Sequence, residues 1–374
     1  MKYDWLIVGA GFTGAVIAER LASQRDQKVL VIDRRNHVAG NAYDAPDEQG
    51  ILVHHYGPHI FHTASKKIWD YLSGFTAWRP YFHHVLGVVD GHAVPVPFNL
   101  NALYALLPPH MADALSAKLI AQFGFGTKVP ILKMQQTADA ELNWLANYVY
   151  EKVFLGYTVK QWGLKPEELD AAVTGRVPVH ISRDDRYFQD PYQAMPLRGY
   201  TALMAKILDH PNIRVELNTE FRDVPKDIAP RIVFTGPIDE FFAFEDGELP
   251  YRSLRFEFVT EDRPQFQAVA QVNYPNEFDF TRITESKHFY QLQTPRTVLT
   301  YEYPQAYQRG INQPYYPIPA PDSKARLAPY LAKAEALKGR CWFAGRLADY
   351  QYYNMDQACA RALSLFEKEL AQSC

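Results

Sequence analysis

A glycine pattern set between two apolar strands constrains this chain more than any other feature. Leu6-Ile7-Val8 is a short apolar run, Gly9-Ala10-Gly11-Phe12-Thr13-Gly14 follows it, and Ala15, Val16, Ala18, Leu21 and Ala22 then carry helical spacing. Lys28-Val29-Leu30-Val31-Ile32-Asp33 reads as a second buried strand, with Asp33 nineteen residues past Gly14. Strand, glycine turn, helix and strand make a βαβ unit, which calls for a parallel sheet. In such a unit Gly9 permits the tight turn, Gly11 lets backbone approach a pyrophosphate, and Gly14 lets the helix pack on the strand. The helix N-terminus, with Thr13 in its first turn, turns N–H groups and a positive dipole end toward phosphates. Asp33 is spaced to accept hydrogen bonds from ribose hydroxyls. A glycine-rich turn without a ligand is the alternative, and the strand, helix and acid in register weigh against it.

The next residues bear on which dinucleotide is bound. Arg34-Arg35-Asn36-His37-Val38-Ala39-Gly40-Asn41-Ala42 resembles the Arg-x-x-Gly-Gly extension of FAD-containing proteins, with Ala39 in place of the first glycine. Phe343-Ala344-Gly345-Arg346 sits where such proteins close the flavin site with a strand and a helix N-terminus. Together these favour FAD over NAD and add Arg34, Gly40 and Asn41 to the cofactor candidates.

Along the rest of the chain the texture changes twice. Leu103–Leu107, Met111–Phe123, Thr137–Val149 and Pro166–Val173 carry helical spacing, punctuated by Pro108-Pro109 and Gly124-Phe125-Gly126. Tyr251–Val259, Ala268–Tyr274, Phe289–Leu292 and Thr297–Tyr303 alternate as antiparallel strands do. Ile213–Leu217, Ile232–Gly236, Cys341–Gly345 and a helix over Met355–Leu370 return to α/β texture. The fold class is therefore α/β: a Rossmann-like FAD-binding domain with a parallel sheet, an inserted helical bundle and an antiparallel β-sheet domain. The expected division is 1–80, 195–245 and 325–374 for the discontinuous FAD-binding domain. Residues 100–175 form the helical insertion, and 81–99, 176–194 and 246–324 the substrate domain.

Charge and cysteine use narrow the function. A net charge of -3 is a poor match for a protein that neutralises a polyphosphate backbone, so no nucleic-acid partner is expected. Cys341, Cys359 and Cys374 fit no metal spacing and no disulfide framework, so no metal and a cytoplasmic location are expected. No run approaches the ~18 apolar residues of a membrane span, and no signal peptide is read. Tyr is the commonest aromatic, with 24 residues, and it suits a pocket for a ring-bearing polar ligand as well as a core.

Several strings then read together: Gly40-Asn41-Ala42, Tyr56-Gly57-Pro58-His59-Ile60-Phe61-His62-Thr63, Gly156-Tyr157-Thr158-Val159-Lys160-Gln161-Trp162-Gly163, Arg176-Val177-Pro178-Val179, Arg282-Ile283-Thr284-Glu285 and Tyr352-Tyr353-Asn354-Met355. With these the chain resembles the UDP-galactopyranose mutase family over nearly its whole length. The resemblance implies a redox-neutral isomerisation of UDP-galactopyranose and UDP-galactofuranose on reduced FAD. Flavin N5 attacks the anomeric carbon of galactose and UDP leaves. The ring opens through a flavin iminium and recloses as the furanose. It also implies an external reductant, such as NAD(P)H or a reductase, and a homodimer.

Residue roles follow from the same resemblance. Arg176 and Arg282 clamp the diphosphate, the first from a mobile lid, and stabilise charge as UDP departs. Tyr157 stacks on uracil, with Val153 and Phe154 nearby, Thr158 hydrogen bonding, and Trp162 near the sugar-diphosphate. Tyr187, Tyr316 and Tyr352 reach the diphosphate through hydroxyls, while Arg252 and Asn273 lie near phosphate and sugar. His83 falls near a ligand-facing Asn of relatives. His59 lies beside the flavin ring, with Ile60 next to it, and Arg346 contacts the reduced flavin. Phe221, expected to end a strand, meets the adenine. Tyr353, Asn354 and Met355 close the cofactor site, with Asn354 where relatives often carry Asp and Asp356 two residues on. A conventional FAD amine oxidase and a non-catalytic nucleotide sensor are the competing readings; the oxidase does not need two diphosphate arginines, and the sensor would bind its ligand without isomerising a sugar.

Overall fold

The computed structural model describes residues 2–169 and 177–373. Its organising element is a five-stranded sheet in the order Ile213–Glu216, Val29–Ile32, Trp5–Val8, Arg231–Phe234, Cys341–Phe343. Every pairing in it is parallel, with Leu6 opposite Leu30 on one side and Ile232 on the other. Five strands from three distant stretches of chain thus build the doubly wound sheet that the glycine motif called for. The helix Phe12–Arg25 buries Ala15, Val16, Ala18, Leu21 and Ala22 against it. The C-terminal helix Met355–Lys368 adds Cys359, Ala362, Leu363 and Phe366 to the same core. Burying one such aliphatic side chain is worth ~1.5–3 kcal/mol, so this core holds the glycine turn rigid.

A second sheet has seven strands, in the order Tyr316–Pro317, Tyr251–Glu261, Thr297–Ala306, Arg282–Glu285, Gln271–Asn273, Val85–Val89, His92–Val96. Its pairings are antiparallel except that Gln271–Asn273 runs parallel to Val85–Val89. The expected antiparallel sheet is therefore mixed at one junction. The Val85–Val96 hairpin comes from far upstream and docks onto an existing edge rather than continuing a meander. A further difference lies at Phe289–Leu292, expected as a strand. The chain there forms the helical turn Lys287–Tyr290. Local bonds capture it: His288 Nε2 lies 3.2 Å from Glu285, and Lys287 donates to the carbonyls of Pro264 and Thr294.

The helical insertion comprises Leu100–Leu106, Pro109–Phe123, Ile131–Met134 and Ala140–Val149 around its own core of Leu103, Leu115, Leu119, Leu142 and Leu145. Ala140–Val149 does not end in a loop. It runs through a π-helical turn, Tyr150–Leu155, into the helix Gly156–Trp162. Such turns concentrate at functional sites. Of the expected helix over Pro166–Val173, Pro166–Glu168 is a 3₁₀ turn and the part beyond residue 169 lies outside the described residues. Among the described residues, no helix is long and apolar enough to cross a membrane.

Candidate active site

Two cavities are lined by the expected residues. The first runs along the ends of the parallel strands. It is lined by Gly9, Gly11, Thr13, Gly14, Asp33, Arg34, Gly40, Asn41, His59, Phe221, Arg346, Tyr353, Asn354 and Met355, all expected there. Only Ile60 of the expected cofactor residues is absent: it packs into the main core instead. Phe221 lies in a 3₁₀ turn, Phe221–Asp223, not at the end of a strand. The strand stops at Glu216, and Thr219, Glu220 and Phe221 then bend into the cavity.

The geometry fits a dinucleotide. Gly9 has φ +108°, and a Cβ on Gly14 would stand 1.9 Å from the Gly9 carbonyl oxygen. A Cβ on Gly11 would meet nothing closer than 3.7 Å, so the space beside it belongs to the cavity. No side chain caps the helix that starts at Phe12, which leaves its first N–H groups to an anion. The two oxygens of Asp33 accept from Ala10 N–H at 2.8 Å and Arg35 N–H at 2.9 Å. These bonds fix the carboxylate and leave a lone pair on each oxygen. Ala39, in place of the usual glycine, takes φ +74°. Asp356 turns away: Thr63 donates to it at 3.0 Å, so it does not replace a carboxylate at Asn354.

His59 sits at the inner end of this cavity. Its Nδ1 lies 2.9 Å from the Gly57 carbonyl, so Nδ1 carries the proton and Nε2 is left as an acceptor. Burial, reinforced by His54, pushes its pKa down to about 3, so the ring is neutral. His54 in turn accepts the His59 N–H at 3.0 Å.

The second cavity is lined by Val153, Phe154, Tyr157, Thr158, Trp162, Tyr187 and Asn273, again all expected. Val96, Ile131, Pro166, Leu169, Val177 and Pro275 complete it. The Gly-Tyr-Thr-x-Lys-Gln-Trp string forms the helix Gly156–Trp162, which is pinned to the mixed sheet. A Cβ on Gly156 would lie 2.5 Å from Pro275 O, and Lys160 donates to Tyr274 O at 2.9 Å. Arg252 does not line the cavity. It donates to Lys160 O and Gln161 O, both at 2.9 Å, and so caps the C-terminal end of this helix. His83 is also off the cavity wall, 2% exposed beneath Tyr187 and Phe188.

A row of rings and one guanidinium joins the two cavities. Tyr316 and Tyr352 stack at 5.2 Å, Trp162 stands about 6 Å from each, at 6.0 and 6.1 Å, and Arg346 lies over both tyrosines at 5.1 and 5.2 Å. The Arg346 guanidinium is held by the Tyr353 carbonyl at 2.6 Å. Beside this row is Arg282, bonded through Nε (2.9 Å) and Nη2 (2.7 Å) to Glu302 Oε2. The sheet register sets the arrangement, with Arg282 directly opposite Glu302 on one side and Asn273 on the other. Glu302 is 1% exposed, and its charge is among the causes that raise the Arg282 pKa against burial. Sequence reasoning missed Glu302. The signal was there: in Thr297–Ala306 it falls on the face of Val298 and Thr300, both buried. A lone carboxylate on a buried face needs a partner. Arg176, the other expected clamp residue, lies outside the described residues.

A family model for UDP-galactopyranose mutase matches residues 152–352, and one for the NAD(P)-binding Rossmann-like domain matches residues 7–75. A probable UDP-galactopyranose mutase of Klebsiella pneumoniae is 38% identical over 371 residues, covering 98% of this chain and 94% of the relative. A dTDP-fucopyranose mutase of Escherichia coli is 34% identical, covering 96% of each chain. Among solved structures, a reduced UDP-galactopyranose mutase superposes with a TM-score of 0.73 at 14% identity, covering 99% of this chain and 96% of that one, a likeness of fold.

Proposed function

The chain belongs to the UDP-galactopyranose mutase family of isomerases, and we propose that it interconverts UDP-galactopyranose and UDP-galactofuranose with FAD in its reduced form. The observation that carries this reading is the continuous wall from Trp162 through Tyr316 and Tyr352 to Arg346. It sets a pocket for a ring-bearing polar ligand against the inner end of a dinucleotide cleft. Reduced flavin supplies a nucleophilic N5 for the anomeric carbon, so the reaction has no net redox change.

The chain's own groups then do the following. The bare helix N-terminus at Gly11–Thr13 holds the cofactor pyrophosphate and Asp33 its ribose. His59 Nε2, as a neutral acceptor, takes a hydrogen bond from the bound ring and cannot donate one there. Tyr157 and Phe154 hold the uracil, and the hydroxyls of Tyr187, Tyr316 and Tyr352 meet the diphosphate. Arg282 and Arg176 neutralise the charge that grows as UDP leaves. Arg282 spends two N–H groups on Glu302 and keeps the remaining ones for phosphate. The rings around the pocket exclude water that would otherwise capture the activated sugar.

We place the protein in the cytoplasm as a homodimer that draws electrons from NAD(P)H or a reductase, with the domain boundaries given above. The test is conversion of UDP-galactofuranose by purified protein with and without dithionite, beside dTDP-fucofuranose because a relative acts on that class. UDP-galactopyranose formed only after reduction supports the proposal. Conversion of the dTDP sugar alone would reassign the substrate. Net oxidation of an amine with oxygen uptake would instead favour an oxidase.

A further inference from the structure

Behind the second cavity lies a chain of buried polar groups. His83, Gln271 and Asn273 are 2%, 4% and 7% exposed. Tyr81 Oη lies 3.2 Å from His83 Nδ1. The Gln271 side chain lies close enough to His83 to raise its pKa slightly against burial. Gln271 Nε2 donates to Asn273 Oδ1 at 2.9 Å. Burial lowers the His83 pKa to about 3, so the ring is neutral and carries a single proton.

The backbone explains why these groups meet. Gln271 and Asn273 are two apart on one strand and so share a face. Gln271 pairs with Thr284 and Asn273 with Arg282. On the other side Gln271 pairs with Val85 and Asn273 with Gly87, and His83 lies just upstream of Val85.

The direction of the chain matters more than its existence. An amide has one acceptor end and one donor end. With Gln271 donating to Oδ1, the Asn273 amide has its acceptor engaged from behind and its NH2 group left for the cavity it lines. We infer that Gln271 is a positioning residue that locks Asn273 as a hydrogen-bond donor to an oxygen of the bound nucleotide sugar, next to Arg282. This deepens the proposed function and rests on it for the ligand. A swivelling amide would present its carbonyl to the same oxygen half the time and repel it, so the relay removes a wrong state rather than adding a contact.

The test is a double-mutant cycle on the FAD-loaded protein, scored by calorimetric affinity for UDP-galactose and by kcat/KM per bound flavin. Gln271→Met keeps volume and deletes the relay, Asn273→Ala deletes its end, and the third variant combines them. Asn273→Ala is expected to lower kcat/KM and affinity about tenfold, the size of one oriented hydrogen bond, Gln271→Met about twofold, the loss of one of two equal orientations, and the double variant to be no worse than Asn273→Ala. Gln271→Glu, assayed at a pH high enough to ionise its buried carboxyl, accepts but cannot donate and should be at least as poor as Gln271→Met. Additive losses in the double variant overturn the inference, because the two residues then act separately. So does a normal Gln271→Glu enzyme, or a Gln271→Met protein that melts early but binds and turns over normally. If wild-type protein holds FAD and converts neither sugar, the functional reading fails instead, and UDP-galactose affinity across the same cycle still decides the relay.

Discussion

The glycine-lined cleft and the aromatic pocket are built on opposite principles. The cleft is made largely of backbone: glycines that admit a close approach, a helix end without a cap, and Asp33 fixed by two N–H groups. The pocket is made of side chains drawn from six stretches of chain, Val96, Ile131, Val153–Leu169, Val177, Tyr187 and Asn273–Pro275. Backbone sites are specified by what is missing from the sequence, and side-chain sites by what is present. The first kind tolerates almost no added atom, while the second tolerates exchange at a graded cost.

The sharpest way to break that contrast is a single methyl group. Gly14→Ala would put Cβ 1.9 Å from Gly9 O, so the turn cannot form as it stands, and flavin-free, poorly folded protein is expected. Gly11→Ala meets only ordinary contacts. It should fold with a normal melting midpoint yet fail to retain flavin, as read by the absorbance of the purified protein. Equal behaviour of the two variants would remove the distinction between packing and ligand-facing glycines.

On the pocket side the largest effect belongs to Arg282. Arg282→Ala should lower turnover on the order of 10²–10³-fold with flavin still bound. It should also destabilise the protein by about 3–5 kcal/mol, because Glu302 is left buried and unpaired. Arg282→Met combined with Glu302→Leu should restore the melting midpoint and not the turnover. Recovery of both would place Arg282 in structure alone.

Acid tests both regions together. Burial lowers His54 and His59, at the cleft, and His83, behind the pocket, to about 3. The unfolded chain binds those protons near pH 6.5 and the folded one does not. Stability is therefore full above about pH 6.5 and falls as pH drops toward 3, by up to ~1.4 kcal/mol per pH unit for each ring. Denaturant midpoints that stay flat between about pH 6.5 and 5 would contradict neutral burial of these rings.

The smallest effect concerns Ala39, which is held at φ +74°. Left-handed backbone costs a Cβ-bearing residue ~1–2 kcal/mol, and glycine gives back part of that in unfolded-state entropy. Ala39→Gly should stabilise the cleft by no more than ~1 kcal/mol, read as a small rise in melting midpoint. A loss of stability would show that the Ala39 methyl, 1% exposed in the main core, outweighs the strain.

The same contrast decides what the sequence made legible. The cleft was readable because Gly9 to Asp33 lie in one stretch with fixed spacing, and Gly345-Arg346 closes it from a second. The pocket residues were readable one by one through family strings, yet not their supports. Arg252 turned out to hold a helix end, and His83 lies behind the wall, because neither fact follows from neighbours in sequence. Gln271 and Glu302 depend on strand register between segments far apart in the chain. The π-turn at Tyr150–Leu155 and the parallel junction at Gln271–Asn273 left no local pattern either, since tertiary packing sets both.

The three-abreast row of Glu302, Arg282 and Asn273 has a consequence for how such a chain can change over time. Side chains alternate faces along a strand, so gaining or losing one residue within any of these three strands would send its member of the row to the opposite side of the sheet. Substitution can be repaired one position at a time, but a frame change of this kind cannot. Changes of length are expected to be tolerated instead in connections such as 308–313, where the chain runs largely exposed between strands. The strands act as a ruler whose divisions cannot be re-spaced.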